Sequence, residues 1–239
     1  MDLVIFSVAF AVAAAIVFLL ARLFDRRISV VFALSCAVYL GADDLVTGFG
    51  STFKGLDALG LHWNWSGKLL SLFLSVLVIE SLRLSPAALG LTFRQRHMKI
   101  GLIALVLFII WGACLGLLFK PGAPDAETLS FQAVMPGLSE ELVYRGILPA
   151  LLLGLIRGRG PIEGMPWAVI LATSVVFGIW HGLNYSHGAF GFDVMSALFP
   201  FIGSVPGGWL RFKTGSLVIP VFAHGLANVA FHIAGGFGS

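Results

Sequence analysis

The chain has 239 residues, of which 58% are hydrophobic and 11% are charged, and its formal net charge at pH 7 is +3. Soluble domains carry about 25% charged residues, and a chain of this length has too little interior to hide so much apolar surface. The composition therefore excludes an ordinary soluble domain and predicts an integral protein whose surroundings are membrane lipids. The small net charge gives no indication of nucleic-acid binding, and no nucleic-acid partner is predicted.

Eight apolar runs are candidates for membrane-spanning helices, because a bilayer core requires roughly 20 apolar residues per helix. They cover residues 3–21, 28–47, 67–82, 100–119, 127–156, 166–184, 193–210 and 216–234. The segment from Leu84 to Lys99 is predicted to be a short helix in the membrane interface, beginning at Ser85 and Pro86. The sequence thus predicts an all-α, polytopic membrane bundle of about eight helices with an intramembrane polar cavity, in which residues 1–239 form a single domain.

Basic residues are unevenly distributed among the loops between these runs. Eleven of the fifteen Lys and Arg residues fall in alternate loops, namely Arg22, Arg26, Arg27, Arg83, Arg94, Arg96, Lys99, Arg157, Arg159, Arg211 and Lys213. The opposite loops contain Lys54, Lys68 and Lys120, together with the acidic residues Asp43, Asp44, Asp57, Asp125, Glu127 and Asp193. The positive-inside rule therefore predicts that the Arg-rich loops are cytoplasmic and both termini external. It also predicts that Asp43 and Asp44 are interfacial and that Trp63 and Trp65 belong to an outer aromatic belt.

The fifth run contains ionisable residues, which are costly inside a membrane and therefore indicate function. Glu141 and Arg145 are four residues apart, so they share a helix face and are predicted to form an ion pair. Glu140 is rotated by about 100° from Glu141, so Arg145 is predicted to leave it free for another role. Pro136 is predicted to kink the helix and open space around Glu140.

Two later runs also carry pairs of residues at a spacing of four. Phe177 and His181 lie on one face of the sixth span, and His224 and Asn228 lie on one face of the last. Small residues within 223–227 are predicted to let a neighbouring helix approach closely.

The polar residues of these three spans lie at comparable depths, given a rise of about 1.5 Å per residue. Glu140, His181, His224 and Asn228 are therefore predicted to converge. A carboxylate beside an imidazole can activate water for attack on a peptide carbonyl. His224 and the Asn228 amide could donate hydrogen bonds to the developing oxyanion. This set of groups requires no metal, and no cofactor is predicted.

Three motifs in this order resemble those of a known family: Glu140-Glu141-x-x-x-Arg145, Phe177-x-x-x-His181 and His224-x-x-x-Asn228. The family is the CAAX protease and bacteriocin-processing family (CPBP, also called Abi), which includes prenyl-protein endopeptidases of the Ras-converting type. The resemblance covers residues 125–234, the motif-bearing half, whereas residues 1–120 carry no motif. It implies an intramembrane glutamic endopeptidase in which Glu140 and His181 activate water. It further implies that His224 and Asn228 form the oxyanion site, and that Glu141, Arg145 and Phe177 are supporting residues.

Two alternatives remain open at the level of sequence. A Glu, His, His set could also hold zinc, which would make the protein a metalloprotease using the same residues. The motif could instead serve stability in a non-proteolytic membrane scaffold or immunity protein. The loop charges place the polar cluster toward the external side of the membrane, which is expected to be a prokaryotic plasma membrane. We therefore expect the substrate to be an exported or membrane-anchored polypeptide, cleaved near its terminus at a C-terminal sorting or lipid-modified segment.

Overall fold

The computed structural model describes residues 1–50, 61–155 and 164–237. This part of the chain is almost entirely helical, which confirms the all-α prediction. The helices are α1 (Asp2–Phe24), α2 (Val30–Gly50), α3 (Trp65–Leu82), α4 (Pro86–Leu89), α5 (Met98–Phe119), α6 (Ala126–Glu141), α7 (Leu148–Leu152), α8 (Trp167–Gly182), α9 (Val194–Thr214) and α10 (Val218–Gly236). A π-helical turn (Leu142–Ile147) joins α6 to α7, and two short strands, β1 (Leu183–Ser186) and β2 (Ala189–Phe192), lie between α8 and α9.

The described helices account for all eight predicted spans, although they differ in length and composition. Five of them, α1, α2, α3, α5 and α10, are long and apolar enough to cross a membrane. The fifth predicted span is continuous helix from α6 through the π-helical turn to α7. The helix α8 is apolar but has only 16 residues, and α9 contains Pro200 and Pro206. The polytopic bundle is confirmed, and five of the described helices are both long enough and apolar enough to cross a membrane.

Two of the Arg-rich loops lie next to each other at one end of the bundle. The Arg96 backbone N–H donates to the carbonyl of Thr214 (2.8 Å), and that of Leu217 donates to the carbonyl of Gly90 (2.9 Å). The loops around residues 90–96 and 211–217 therefore lie at the same end, as the positive-inside pattern requires. Arg157 and Arg159, and Lys54 and Asp57 of the opposite loops, lie outside the described residues.

The predicted interfacial helix over Leu84–Lys99 is wrong beyond its first turn. The Ser85 hydroxyl accepts a hydrogen bond from the Ala88 N–H (3.2 Å) and caps α4 as expected. The helix then ends because Gly90 adopts a φ of 76°. Arg211, which was predicted to be a loop charge, is buried and donates to the carbonyl of Ala88 at 2.8 Å. This contact joins α4 to α9.

At the other end of the bundle, Glu127 ties the start of α3 to the start of α6. Its carboxylate accepts hydrogen bonds from the backbone N–H groups of His62 and Trp63 (both 3.0 Å) and from Trp65 Nε1 (3.1 Å). The rings of Trp63 and Trp65 pack on Phe131 at centroid distances of 5.0 and 5.1 Å. Both Trp residues are half-buried, and their place in an outer aromatic belt stays a prediction.

Close contact between α6 and α10 brings the motif-bearing helices together. A Cβ atom at Gly225 would lie 2.3 Å from the carbonyl oxygen of Ala133, and one at Gly137 would lie 2.6 Å from that of Val221. Only glycine fits at such separations, so the close approach predicted for residues 223–227 is confirmed. This close contact places the side chain of His224 next to the end of α6.

The hairpin formed by β1 and β2 was not predicted. Its strands pair in register from Leu183 with Phe192 to Ser186 with Ala189, which leaves a two-residue turn. Both turn residues, His187 and Gly188, have positive φ angles (53° and 79°), as a type I′ turn requires. The hairpin follows α8 directly, so it begins two residues after His181.

Candidate active site

A cavity of about 620 Å³ lies between α3, α5, α6, α8, α9 and α10. It is lined by all seven residues that the sequence indicated, which are Glu140, Glu141, Arg145, Phe177, His181, His224 and Asn228. Much of the remaining wall is aromatic and includes Phe108, Trp111, Phe199 and Phe231. The predicted convergence of three helices on one polar cavity is therefore present in the structure.

Glu140 forms a close ion pair that the sequence did not predict. Its side chain is buried, and its Oε1 lies 2.6 Å from the Nζ of Lys68. Its Oε2 lies 3.7 Å from the Nε2 of His224. The sequence did not indicate this pair because Lys68 was assigned to an external loop, whereas it lies in the first turns of α3. Lys68 is also buried, and its Nζ lies 5.1 Å from the centroid of the Trp180 ring.

Glu141 links an Arg and a His side chain. Arg145 Nη1 lies 3.1 Å from Glu141 Oε1, which confirms the predicted ion pair. The same oxygen accepts a hydrogen bond from His224 Nδ1 at 2.8 Å. Both charged residues of the pair are buried. Arg145 belongs to the π-helical turn, a rare conformation that occurs frequently at functional sites.

His181 is held by the residue one turn before it. Its Nδ1 lies 2.8 Å from the carbonyl oxygen of Phe177, and because a carbonyl only accepts, Nδ1 carries the proton. In the neutral ring, Nε2 then has a free lone pair. The His181 side chain is exposed to the cavity. The Phe177 ring contacts the His181 ring edge-on (4.4 Å between centroids) and lies 4.8 Å from the Arg145 guanidinium.

Asn228 is oriented by Gln132, a residue that the sequence did not single out. Asn228 Nδ2 donates to Gln132 Oε1 at 2.8 Å, and Gln132 is buried on α6. Since an amide nitrogen carries two hydrogens, the second N–H of Asn228 remains able to serve a ligand. The two residues are 96 positions apart, so no local pattern could have indicated their contact.

Asp43 and Asp44 face the interior of the bundle beside Glu140, while their depth at the membrane interface stays a prediction. Asp44 accepts hydrogen bonds from Ser7 Oγ (2.6 Å) and Trp180 Nε1 (2.8 Å), and Asp43 accepts one from Ser71 Oγ (2.7 Å). A second, very small cavity is lined by both Asp residues together with Lys68 and Glu140. Two consecutive carboxylates near the end of an apolar run are typical of an interface, so their inward position could not be predicted.

The candidate zinc ligands do not form a compact donor group. Among residues 1–50, 61–155 and 164–237, one set of His and carboxylate side chains brings its ligand atoms within 4.8 Å of one another. That set is His62, Asp125 and Glu127, at the end of the bundle where α6 begins. It does not include Glu140, His181 or His224.

Comparison with known protein families gives a match within the motif-bearing half of the chain. Residues 126–230 match the family model described as type II CAAX prenyl endopeptidase Rce1-like. All seven residues indicated by the sequence fall within this segment, whereas Lys68, Asp43 and Asp44 precede it. No curated protein and no solved structure gives a significant match to the chain. Residues 126–230, slightly less than half of the chain, are therefore similar to the type II CAAX prenyl endopeptidase family.

Proposed function

We propose that the protein is an intramembrane endopeptidase that hydrolyses a peptide bond with water activated by Glu140 and His181. The observation that carries this proposal is the meeting of Glu140, His181, His224 and Asn228 on one cavity. The segment that contributes all four residues is also the one that matches an endopeptidase family. In this proposal residues 1–239 act as one membrane domain, and residues 125–234 are its catalytic half.

The arrangement supports a reaction in two steps. A water molecule that donates hydrogen bonds to Glu140 and to His181 Nε2 attacks the carbonyl carbon of the scissile bond, while Glu140 takes one of its protons. The oxyanion accepts hydrogen bonds from the free N–H of Asn228 and from His224 Nε2. In this proposal both ring nitrogens of His224 act as donors, since Nδ1 donates to Glu141. The carbon–nitrogen bond then breaks, and the proton held by Glu140 passes to the leaving amine.

A zinc-dependent reaction with the same residues is less well supported. The Lys68 ammonium already lies 2.6 Å from Glu140 Oε1, and a second cation at that carboxylate would be repelled by it. We expect purified protein to contain no stoichiometric zinc and its activity to be insensitive to chelators. Stoichiometric zinc whose removal abolishes cleavage would establish the metalloprotease instead.

The position of the cavity supports a substrate that arrives from the external side. Its wall includes Trp63, Asn64 and His232, which lie at the end of the bundle opposite the Arg-rich loops. By the positive-inside rule that end is external, and the membrane in this proposal is a prokaryotic plasma membrane. The proposed substrate is accordingly an exported or membrane-anchored polypeptide, cleaved near its terminus at a C-terminal sorting or lipid-modified segment.

The decisive experiment compares the termini of membrane proteins in cells that produce the wild-type protein or Glu140→Gln at equal levels. Glu80→Gln is the matched control, because Glu80 is an exposed glutamate on α3. We expect precursors to lose a terminal segment with wild-type protein and Glu80→Gln, but not with Glu140→Gln. Identical termini in all three strains would reject proteolysis and favour a scaffold or immunity protein.

A further inference from the structure

Lys68 is the residue whose position the motifs leave unexplained. It precedes the matched segment 126–230, and its side chain is 11% exposed. Lys side chains are almost never buried without a partner. Here the partner is Glu140, at 2.6 Å, the carboxylate that the proposed reaction uses as its base. The first half of the chain thus contributes a positively charged side chain to the candidate site.

The backbone at Lys68 is held in place by a close contact between α2 and α3. A Cβ atom at Gly67 would lie 2.2 Å from the carbonyl oxygen of Thr47, so the two helices touch through backbone. Asn64 caps α3 by accepting a hydrogen bond from the Gly67 N–H (2.9 Å), and it donates to the carbonyl of Thr47 (3.0 Å). These contacts lie within four residues of Lys68. A functional group whose support is rigid in this way is preorganised.

Besides Glu140, side chains from two further helices, α2 and α8, lie near Lys68. Asp43 and Asp44 of α2 line the small cavity that Lys68 and Glu140 also line, and the Trp180 ring of α8 covers the ammonium. Asp43 and Asp44 are each held by other donors, at Ser71, Ser7 and Trp180. The short contact of the ammonium is with Glu140. Buried ion pairs contribute little stability compared with apolar residues of similar volume, so stability alone does not account for this pair.

We propose that Lys68 is a positioning residue for the glutamate of the proposed endopeptidase. Its ammonium holds Oε1 of Glu140, and this fixes the carboxylate so that Oε2, the oxygen nearer His224, receives the proton of the attacking water. The active site therefore extends beyond the motif-bearing half and includes α3. This inference rests on the proposed function and adds to it a residue from the first half of the chain.

The first test measures steady-state kinetics of full-length protein in liposomes on a precursor identified by the comparison of termini. A charge-assisted hydrogen bond is worth enough to change a rate by about 10- to 100-fold. We expect Lys68→Met to lower kcat by that factor and leave KM unchanged, because positioning matters only in the transition state. Lys68→Arg should recover most of the rate. Lys99→Met, a change at an exposed lysine of α5, should behave as wild type.

The second test separates positioning from folding within a single preparation. Lys68→Ala lacks the part of the side chain that corresponds to propylamine. We expect added n-propylamine to restore cleavage by Lys68→Ala, whereas 1-propanol, which has no charge, should have no effect. Restoration by both compounds, or by neither, would overturn a positioning role for the ammonium.

The outcomes distinguish the two proposals. If wild-type protein cleaves, Glu140→Gln does not, and Lys68→Met is as fast as wild type, the role of Lys68 is rejected and the proposed function stands. If wild-type protein cleaves nothing, the proposed function is rejected, and the role of Lys68 with it. Loss of activity in Lys68→Met through a raised KM alone would assign Lys68 to substrate binding and contradict positioning.

Discussion

The two halves of this protein contribute to the candidate site in different ways. The segment 126–230 places functional groups at a spacing of four on single helices, as with Phe177 and His181. The first half contributes single residues, such as Lys68 of α3 and Asp44 of α2, that reach the site across helix boundaries. The motifs therefore supply the proposed reacting groups, whereas Lys68 and Asp44 add charges from residues that form no motif.

The largest expected effect comes from a Glu→Gln substitution, which can be made in either half of the chain. Glu140→Gln in the second half removes the proposed base, and we expect kcat to fall by about 100- to 10,000-fold. Glu80→Gln in the first half alters an exposed glutamate and should leave kcat unchanged. Steady-state rates on the identified precursor measure both. A Glu140→Gln variant with the wild-type rate would remove the basis for assigning the chemistry to the motif.

The next effect concerns the proposed oxyanion site. Asn228→Ala removes a donor to the oxyanion, and removal of such a donor lowers kcat by about 100- to 1,000-fold. We expect KM to change little, because the hydrogen bond strengthens only in the transition state. Asn184→Ala, at an exposed position of β1, is the control in the same assay. A proportionate rise in KM with unchanged kcat would instead assign Asn228 to substrate binding.

A smaller effect should appear at a residue outside the motifs but inside the motif-bearing half. Gln132→Leu removes the acceptor that orients Asn228, a neutral hydrogen bond whose loss corresponds to about a 2- to 10-fold lower kcat. Ser130→Ala changes an exposed residue of the same helix and serves as the control. If Gln132→Leu retained the full rate, Asn228 would need no such support.

The smallest effect concerns stability and tests the packing that joins α6 to α10. Gly225→Ala places a Cβ atom 2.3 Å from the carbonyl oxygen of Ala133, and overpacking of this kind destabilises by about 1–3 kcal/mol. Gly203→Ala is the matched control, because its nearest contact would be Trp111 Nε1 at 3.9 Å. We expect a lower midpoint of thermal unfolding in detergent for Gly225→Ala alone. Equal midpoints for the two variants would show that α10 can shift away from α6.

The sequence was most informative where function depends on local spacing. The pairing of Glu141 with Arg145 and the edge-on contact of Phe177 with His181 follow from helix geometry, and the structure contains both. Lys68 could not be predicted in the same way, because a lysine near the end of an apolar span commonly extends to the membrane surface. Its inward direction depends on the contact between α2 and α3, which involves residues distant from the motifs.

The fold, too, could be predicted only where it depends on the local sequence pattern. Hydropathy predicts apolar helices reliably, since every backbone polar group in a bilayer must be satisfied internally. It could not predict the π-helical turn at Arg145 or the hairpin after His181, because neither changes the apolar pattern. The hairpin carried one local signal, the glycine at its second turn position, Gly188.

The claim that Glu140 activates water can be tested by tracing the oxygen of that water. Full-length protein in molar excess over the identified precursor would be allowed a single turnover in water enriched in the heavy oxygen isotope. The account predicts that the new carboxyl terminus carries one heavy oxygen atom and that Glu140 carries none. An unlabelled product terminus with the label in Glu140 would show that Glu140 attacks the carbonyl itself, and would contradict the account.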